Sequence, residues 1–180
     1  MATKDTLRLA GVIRESIVDG PGLRFTVFAQ GCPHHCEGCH NTGTHDFDGG
    51  TVTEIQTILR EIDKNPLLSG VTFSGGEPFC QAEGFYELAR EIKERGLHIV
   101  TFSGYSYEEL QALAGAQSPE GEAIQNLLDL TDLLIDGRFE LALRDLTLCF
   151  RGSQNQRMID MNRTREMGKI VLDDKYMNVI

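Results

Sequence analysis

Two kinds of hydrophobic pattern alternate along the chain. Short runs rich in branched and aromatic residues, typical of strands, are separated by stretches in which apolar residues recur every three or four positions, typical of helices. The runs of the first kind are residues 7–13, 23–30, 70–74, 97–102 and 132–136. The stretches of the second kind are residues 51–63, 85–96, 106–114 and 121–129. This alternation predicts an α/β fold with a mostly parallel sheet.

The first helical stretch, residues 51–63, has the clearest periodicity. Its apolar residues fall at positions i, i+3, i+4 and i+7, which is one face of a helix: Ile55, Ile58, Leu59 and Ile62. Thr53, followed three residues later by Gln56, matches a capping box. The pattern therefore predicts that the helix begins close to Thr53.

The alternation weakens beyond the last of the strand-like runs. There we expect only short strands, at residues 147–150 and 168–172. We interpret the whole chain, 1–180, as a single domain with its core at about 7–150. The hydrophobic pattern of the C-terminal segment 151–180 does not indicate what this segment does.

The length of the chain limits how far the sheet can close. A closed eight-stranded (β/α) barrel typically needs about 250 residues, and this chain has 180. An incomplete, open (β/α) barrel with a mostly parallel sheet fits better. In such folds the functional site lies at the carboxyl ends of the strands. The cysteine-rich loop at 31–41, the SGGEP turn at 74–78 and the SGY turn at 103–105 all follow predicted strands and belong to that edge.

The pentapeptide VTFSG occurs twice, at residues 71–75 and 100–104. The repetition is either a coincidence or the trace of a duplicated strand–helix unit. In both cases parallel strands would bring the two Ser-Gly turns, which begin at Ser74 and Ser103, to the same edge of the sheet.

The charge of the chain argues against two classes of partner. Lys and Arg number 17 and Asp and Glu number 27, which gives a formal net charge of −10. Nucleic acids and anionic membranes bind positive surfaces, so we expect neither as a partner. No stretch approaches the roughly 18 apolar residues of a membrane helix, and residues 1–16 contain no apolar run of the signal-peptide type. We expect a cytoplasmic protein, in which structural disulfides are rare.

Candidate chemistry concentrates in the stretch GCPHHCEGCHN. Its thiols have the spacing C-x₃-C-x₂-C: Cys32, Cys36 and Cys39. A tight cysteine cluster in a cytosolic chain indicates metal binding or catalysis. A structural zinc could take these thiols together with one loop histidine, His34, His35 or His40. Structural zinc sites, however, usually join two distant pieces of chain.

An iron–sulfur cluster is the second candidate. A ferredoxin-type carrier needs four cysteines at characteristic spacings. The two remaining cysteines, Cys80 and Cys149, are remote singletons that we expect to be small buried hydrophobic residues. Three ligands on a four-iron cluster leave one iron open, which indicates that a substrate binds there.

The cysteine loop resembles that of the radical S-adenosylmethionine enzymes, and a second motif supports the resemblance. SGGEP resembles the GGE turn of that family, and the two motifs lie in consecutive strand–helix units. The resemblance implies a 4Fe-4S cluster on Cys32, Cys36 and Cys39, with S-adenosyl-L-methionine on the open iron. It also implies reductive cleavage of that cofactor to a 5′-deoxyadenosyl radical, chemistry that the cluster and the cofactor carry without a catalytic side chain.

The resemblance further implies a pocket for the methionine part of the cofactor. Paired glycines let a backbone approach a ligand closely, and Glu77 would add an acceptor beside the amino group. The residues expected in this pocket are Ser74, Gly75, Gly76, Glu77 and Ser103.

One position departs from the family pattern. The family often has a bulky residue just before the last cysteine, near the adenine, and here that residue is Gly38. We therefore expect Gly38 and His40 to belong to the cofactor site, with the ring of His40 in contact with the adenine. His34 and His35 are expected to be solvated loop residues.

Two further stretches narrow the resemblance. DGPG at 19–22 precedes the strand that leads to the cysteine loop, as in the glycyl-radical activating enzymes. FRGSQNQ at 150–156 resembles a segment of the anaerobic ribonucleotide reductase activating proteins. Together with the short chain, these stretches imply an activase that removes hydrogen from a glycine of a large anaerobic ribonucleotide reductase. A low-potential reductant such as flavodoxin or ferredoxin is also implied.

Two alternatives stay open. One is an activase of another glycyl-radical enzyme, of the pyruvate formate-lyase type, or a radical enzyme that acts on a small molecule. The other is a non-enzymatic zinc or iron–sulfur module.

Overall fold

The computed structural model describes residues 5–177, which form one mixed sheet and the helices packed on it. The strands are β1 (Thr6–Ser16), β2 (Arg24–Ala29), β3 (Thr51–Glu54), β4 (Gly70–Gly75), β5 (His98–Phe102), β6 (Leu133–Asp136) and β7 (Arg157–Asp160). The helices are α1 (Ile55–Ile62), α2 (Ala82–Glu94), α3 (Tyr107–Ala114), α4 (Pro119–Leu130), α5 (Met161–Met167) and α6 (Asp174–Met177). Within this part of the chain, no helix has the length and hydrophobicity needed to cross a bilayer.

The sheet is parallel in its centre and antiparallel at both sides. Its strand order is β3-β1-β2-β4-β5-β6-β7. The pairs β2–β4, β4–β5 and β5–β6 are parallel, whereas β1 pairs antiparallel with β2 and β3, and β7 pairs antiparallel with β6. The predicted α/β fold is confirmed. The expected mostly parallel sheet is found in the centre only, because three of the six strand pairs are antiparallel.

Helices α1 to α4 cover one face of the sheet. A large buried cluster joins them to that face, and a smaller cluster, against which Tyr176 and Met177 of α6 pack, lies on the other face. Neighbouring residues of β5 divide between the two clusters, because side chains alternate along a strand. Ile99 packs into the larger cluster and Val100 into the smaller one. The apolar stripe predicted for α1 is buried in the larger cluster.

The start of the first helix was predicted wrongly. Thr51–Glu54 form β3, which pairs antiparallel with Thr6–Leu9 of β1. The helix begins at Ile55, and its N-cap makes no side-chain capping hydrogen bond. The capping box at Thr53 and Gln56 is therefore wrong. The β-branched residues of this segment find ladder partners in β1, and this tertiary pairing overrides the local helix signal.

The C-terminal region also departs from the expectation. Residues 147–150 form a turn rather than a strand, and 168–172 contribute only an isolated bridge between Leu172 and Ile159. The strand that the pattern missed is β7, which pairs with β6. Its residues Met158 and Ile159 are fully buried, so the core extends past the limit that the pattern indicated. Four residues are too few to display a period of two.

The register of the central strands brings two predicted motifs together. In the β2–β4 ladder Ala29 pairs with Gly75. Beyond the ladder the Gly76 amide donates to the Ala29 carbonyl oxygen at 2.8 Å, and the Glu77 amide donates to the Gly31 carbonyl oxygen at 2.8 Å. The SGGEP turn is thus joined to the first residue of the cysteine loop.

Candidate functional site

A cavity of about 270 Å³ opens at the carboxyl ends of the central strands. Most of the residues that the sequence assigned to a site line it: Cys32, Cys36, Cys39, His40, Ser74, Gly75, Gly76 and Ser103. Two do not, Gly38 and Glu77. A cavity of similar volume, about 280 Å³, lies between β1, α2 and α4 and holds none of the assigned residues.

The cysteine loop leaves β2 through a sharp turn and is held by backbone hydrogen bonds. Gly31 has a φ of +96°, a conformation that favours glycine. The Cys32 amide donates to the His45 carbonyl oxygen at 3.2 Å, and the Cys39 amide donates to the Cys36 carbonyl oxygen at 3.1 Å. Cys32 is buried and the other two cysteines are partly exposed. The loop therefore presents its thiols to the cavity from a defined backbone.

The electrostatic surroundings of Cys32 disfavour its thiolate in the metal-free chain. Burial raises the pKa of this thiol, a hydrogen bond with the backbone of His34 opposes the rise, and the nearby Glu77 carboxylate adds to it. The thiolate is the form that binds metals. Metal binding must therefore displace the proton of this buried thiol.

The donor set fits an iron–sulfur cluster. The three thiols line one cavity and none is oxidised to a disulfide. In residues 5–177, no three His, Cys, Asp or Glu side chains converge closely enough to hold a single metal ion. An iron–sulfur cluster needs thiolates that are farther apart than the ligands of a single metal ion, because each thiolate binds its own iron.

The paired glycines of SGGEP allow backbone to pack against backbone. Gly75 has a φ of +91°, and a Cβ there would lie 2.7 Å from the Ala29 nitrogen. A Cβ on Gly76 would lie 2.3 Å from the Gly31 carbonyl oxygen. These contacts leave no room for a side chain. The glycines thus bring the turn against β2 and the cysteine loop, while their contact with a ligand stays a prediction.

Glu77 points into the protein rather than into the cavity. Its side chain is fully buried. The carboxylate accepts hydrogen bonds from the Phe79 amide at 3.1 Å, the Ser103 hydroxyl at 3.0 and 3.1 Å, the Gly104 amide at 2.8 Å and the His34 Nε2 at 2.8 Å. Its acceptor positions are thus occupied by the chain itself.

The expectation for His34 is wrong, because its side chain is only 4% exposed and bonds to Glu77. The next residue, His35, is exposed as expected, with a φ of +47° and its ring 4.9 Å from that of His45. No feature of the sequence distinguishes the two histidines, since both lie in the same polar loop. The burial of His34 follows from its bond to Glu77, and the sequence does not indicate that Glu77 is buried.

The predicted adenine region is shaped by the segment that follows β6. His40 is exposed and lies with its ring 5.9 Å from that of Phe139. Gly38 has a φ of +74°, and a Cβ there would lie 3.0 Å from Leu141 Cδ1. Gly38 therefore lets this segment pass close to the cysteine loop, although it does not line the cavity.

Several cavity residues were not assigned from the sequence. They come from the DGPG turn, the end of the cysteine loop and the segment between β6 and β7: Asp19, His45, Phe139, Arg151 and Gln156. Arg151 donates from Nη1 to the Gln156 carbonyl oxygen at 2.9 Å and from Nη2 to the Met177 carbonyl oxygen at 3.2 Å. Its Nε and the Nε2 of His45 are buried without a hydrogen-bond partner among the described residues. The DGPG and RGSQNQ motifs were the available signals, since Asp19 and Arg151 belong to them.

The two remote cysteines stay away from the cavity. Cys80 is exposed and Cys149 is partly exposed, so neither is the fully buried residue that was expected. Neither lines the cavity that holds the other three thiols.

The chain resembles known proteins over most of its length. A family profile described as "4Fe-4S single cluster domain" matches residues 18–159. The anaerobic ribonucleoside-triphosphate reductase-activating protein of Escherichia coli K12 is 34% identical over 148 residues, which cover 78% of this chain and 90% of that one. The protein of the same name from Enterobacteria phage T4 is 31% identical, over 78% of this chain and 86% of that one.

A second group of relatives is longer. The pyruvate formate-lyase-activating enzyme of Clostridium pasteurianum is 36% identical over 106 residues, which cover 56% of this chain but 44% of that one. The similarity to that group is thus confined to part of both chains.

Proposed function

The chain belongs to the family of anaerobic ribonucleoside-triphosphate reductase-activating proteins, which are radical S-adenosylmethionine enzymes, and from that membership we propose its function. It is a glycyl-radical activase that takes hydrogen from a glycine of an anaerobic ribonucleotide reductase. The observation that carries the proposal is the meeting of the cysteine loop, the SGGEP turn and the Ser103 turn at one cavity.

The cysteines of the loop are the proposed ligands of a 4Fe-4S cluster, through three of its irons: Cys32, Cys36 and Cys39. When bound, the cluster would supply a low-potential electron to the sulfonium of S-adenosyl-L-methionine, the cofactor expected on the fourth iron. All three cysteines line the cavity, and two of them are partly exposed. This arrangement supports access of a cofactor to the cluster from the cavity.

The remaining cavity residues bind and orient the cofactor in this proposal. The backbone of Gly75 and Gly76 lies beside the thiols and offers polar groups at short range. His40 and Phe139 offer two rings for the adenine. Arg151 supplies a cation to the cavity lining, suited to the carboxylate of the methionine part.

The mouth of the cavity supports a protein substrate. Val18 lines the cavity and is 71% exposed, and Ile17 beside it is 75% exposed. Exposed apolar residues next to a site are typical of protein contacts. A glycine of the partner must reach contact distance of the cofactor, so a partner segment has to enter here.

Three further expectations remain parts of the proposal. An open, incomplete barrel agrees with the strand order, in which β3 and β7 lie at opposite edges. A flavodoxin or ferredoxin is the expected reductant. A cytoplasmic location suits both the cluster and the free thiols.

One other partner has specific support. The pyruvate formate-lyase-activating enzyme of Clostridium pasteurianum shares 36% identity with this chain over 106 residues. The extent of the similarity argues against that partner. The activating protein of the ribonucleotide reductase from Escherichia coli K12 matches 78% of this chain, whereas the enzyme from Clostridium pasteurianum matches 56%.

The experiment that tests the proposal is radical formation on the partner. Anaerobically reconstituted protein is mixed with a reductant, S-adenosyl-L-methionine and an anaerobic ribonucleotide reductase. We expect a doublet electron paramagnetic resonance signal that collapses when the partner glycine carries deuterium at its α-carbon. A partner with this glycine replaced by alanine is the control and should give no signal. If pyruvate formate-lyase gives the radical and the reductase does not, the assigned partner is wrong.

A further inference from the structure

We propose that His34 is a positioning residue, and that its hydrogen bond to Glu77 fixes the cysteine loop against the cofactor-binding turns. The proposal rests on the function proposed above and adds to it a residue of the cavity lining that acts through Glu77 rather than as an iron ligand. Its basis is a side chain in the middle of the cysteine loop that is 4% exposed and bonded to a carboxylate that is 0% exposed.

The bond joins two of the segments that build the cavity. His34 lies between Cys32 and Cys36, and its Nε2 is 2.8 Å from Glu77 Oε2. The same carboxylate oxygen accepts from the Gly104 amide at 2.8 Å, and Ser103 donates to both oxygens. One carboxylate thus ties the cysteine loop, the SGGEP turn and the turn after β5 to each other.

The pocket around the imidazole is shaped for that ring. A Cβ on Gly104 would lie 2.2 Å from His34 Cδ2, so only glycine at this position leaves space for it. The Tyr105 ring stands edge-on to the imidazole with centroids 4.4 Å apart. The SGY turn therefore provides both a flat surface and an aromatic edge for a ring that comes from another segment.

The buried carboxylate has one charged or chargeable partner. Within residues 5–177, the ion pair formed by Glu77 is with His34 and involves no Lys or Arg. A buried acceptor that loses a hydrogen-bond donor is destabilised. The bond therefore favours the loop conformation in which His34 stays in its pocket.

Loss of this bond should change the position of the cluster relative to the cofactor more than it changes the binding of iron. Three thiols in a short loop can still gather iron when the loop is free to move. The distance and direction from the cluster to the cofactor, however, depend on where the loop sits relative to Gly76 and Ser103. Residues that orient metal ligands from the second layer typically change affinity or activity by about 10- to 100-fold.

The variants His34→Ala, His34→Gln and His35→Asn test this. His34→Ala should keep iron near the wild-type content, weaken S-adenosyl-L-methionine binding at least about 10-fold, and reduce the change that the cofactor makes in the spectrum of the reduced cluster. His34→Gln carries an amide nitrogen at a similar reach and should restore most of the binding. His35→Asn is the matched control, because His35 is the exposed neighbour with a φ of +47° that Asn tolerates.

A readout in the metal-free chain separates this proposal from the proposed function. The Gly104 amide bonds to Glu77, and its hydrogen exchange should quicken in His34→Ala but not in His35→Asn. Unchanged exchange and unchanged cofactor binding in His34→Ala would overturn the proposal, as would loss of iron or failure of His34→Gln to restore binding. If these variants behave as expected and no partner gains a radical, the positioning role stands and the proposed function falls.

Discussion

The Glu77 amide donates to the Gly31 carbonyl oxygen at 2.8 Å, directly before the first cysteine of the loop. This bond continues the β2–β4 ladder past the ends of both strands. The segments expected to hold cluster and cofactor are therefore parts of one sheet edge. A backbone shift in one of these segments should therefore displace the other.

Gly76→Ala should impair both the cysteine loop and the cofactor turn. The new Cβ would lie 2.3 Å from the Gly31 carbonyl oxygen, so backbone must shift. Overpacking of this kind typically costs about 1–3 kcal/mol. Iron content after reconstitution and urea unfolding are the measurements. Gly43→Ala is the control, since a Cβ there meets nothing within 4 Å. Equal behaviour of the two variants would contradict the coupling.

Single replacement of Cys32, Cys36 or Cys39 by serine should remove most of the bound iron. The three thiols line one cavity, and the wild type should hold about four irons per chain after reconstitution. Cys149→Ser is the control, because that residue lies outside the cavity lining. Iron analysis and the visible absorbance band give the answer. Loss of iron in the control with retention in Cys36→Ser would refute the ligand assignment.

Arg151→Gln should weaken binding of S-adenosyl-L-methionine while leaving the iron content unchanged. A hydrogen bond to a charged group contributes about 1.5–3 kcal/mol, which corresponds to a loss of roughly 10- to 150-fold in affinity at 1.36 kcal/mol per factor of ten. Arg144→Gln is the control, because Arg144 is an exposed arginine of the same segment and its replacement removes the same charge outside the cavity. Equilibrium binding to the reconstituted proteins measures the effect, and equal affinities in the two variants would exclude a contact from Arg151.

Asp132 should make the fold sensitive to acid. Burial opposes its ionisation, but hydrogen bonds from Lys93 Nζ and the Ile99 amide outweigh burial and lower its pKa below 3.8. A carboxyl group with a lowered folded pKa stabilises the protein above its unfolded pKa. That stability is lost as the pH falls from about 3.8 through the folded value.

The measurement is urea unfolding between neutral pH and pH 3. Asp132→Asn should lower stability at neutral pH and flatten the acid limb of the profile. Asp129→Asn, on the exposed side of α4, serves as the comparison. A steep acid limb retained in Asp132→Asn would assign the acid sensitivity to other groups.

The fold was predictable where a segment follows one period over several turns. The stripe at Ile55, Ile58 and Ile62 is buried as predicted, and the central parallel strands were found because each is a compact apolar run. β3 (TVTE) and β7 (RMID) were not, because each is short and carries polar or charged residues, so that neither is a compact apolar run. Pairing with a distant segment cannot be recognised from the hydrophobic pattern of so short a strand.

The site was predictable where chemistry demands a spacing. The three thiols and the two glycines of the turn meet at the cavity as the motifs indicated. His34 and Glu77 escaped, since a polar residue in a loop gives no sign of burial until its partners are known. Arg151 and Phe139 were missed because they come from the connection between β6 and β7, which contains no strand or α-helix.

That segment, residues 138–156, forms one wall of the cavity without belonging to the sheet. Insertions and exchanges are tolerated best in such connections, since few ladder hydrogen bonds depend on them. The thiols and the glycine turn, by contrast, are built into the sheet edge. A lineage could therefore acquire a new client through changes in this wall that spare Phe139 and Arg151, the two residues of the wall that are proposed to hold the cofactor. For protein engineers, the same boundary marks where a graft from a longer activase should be spliced.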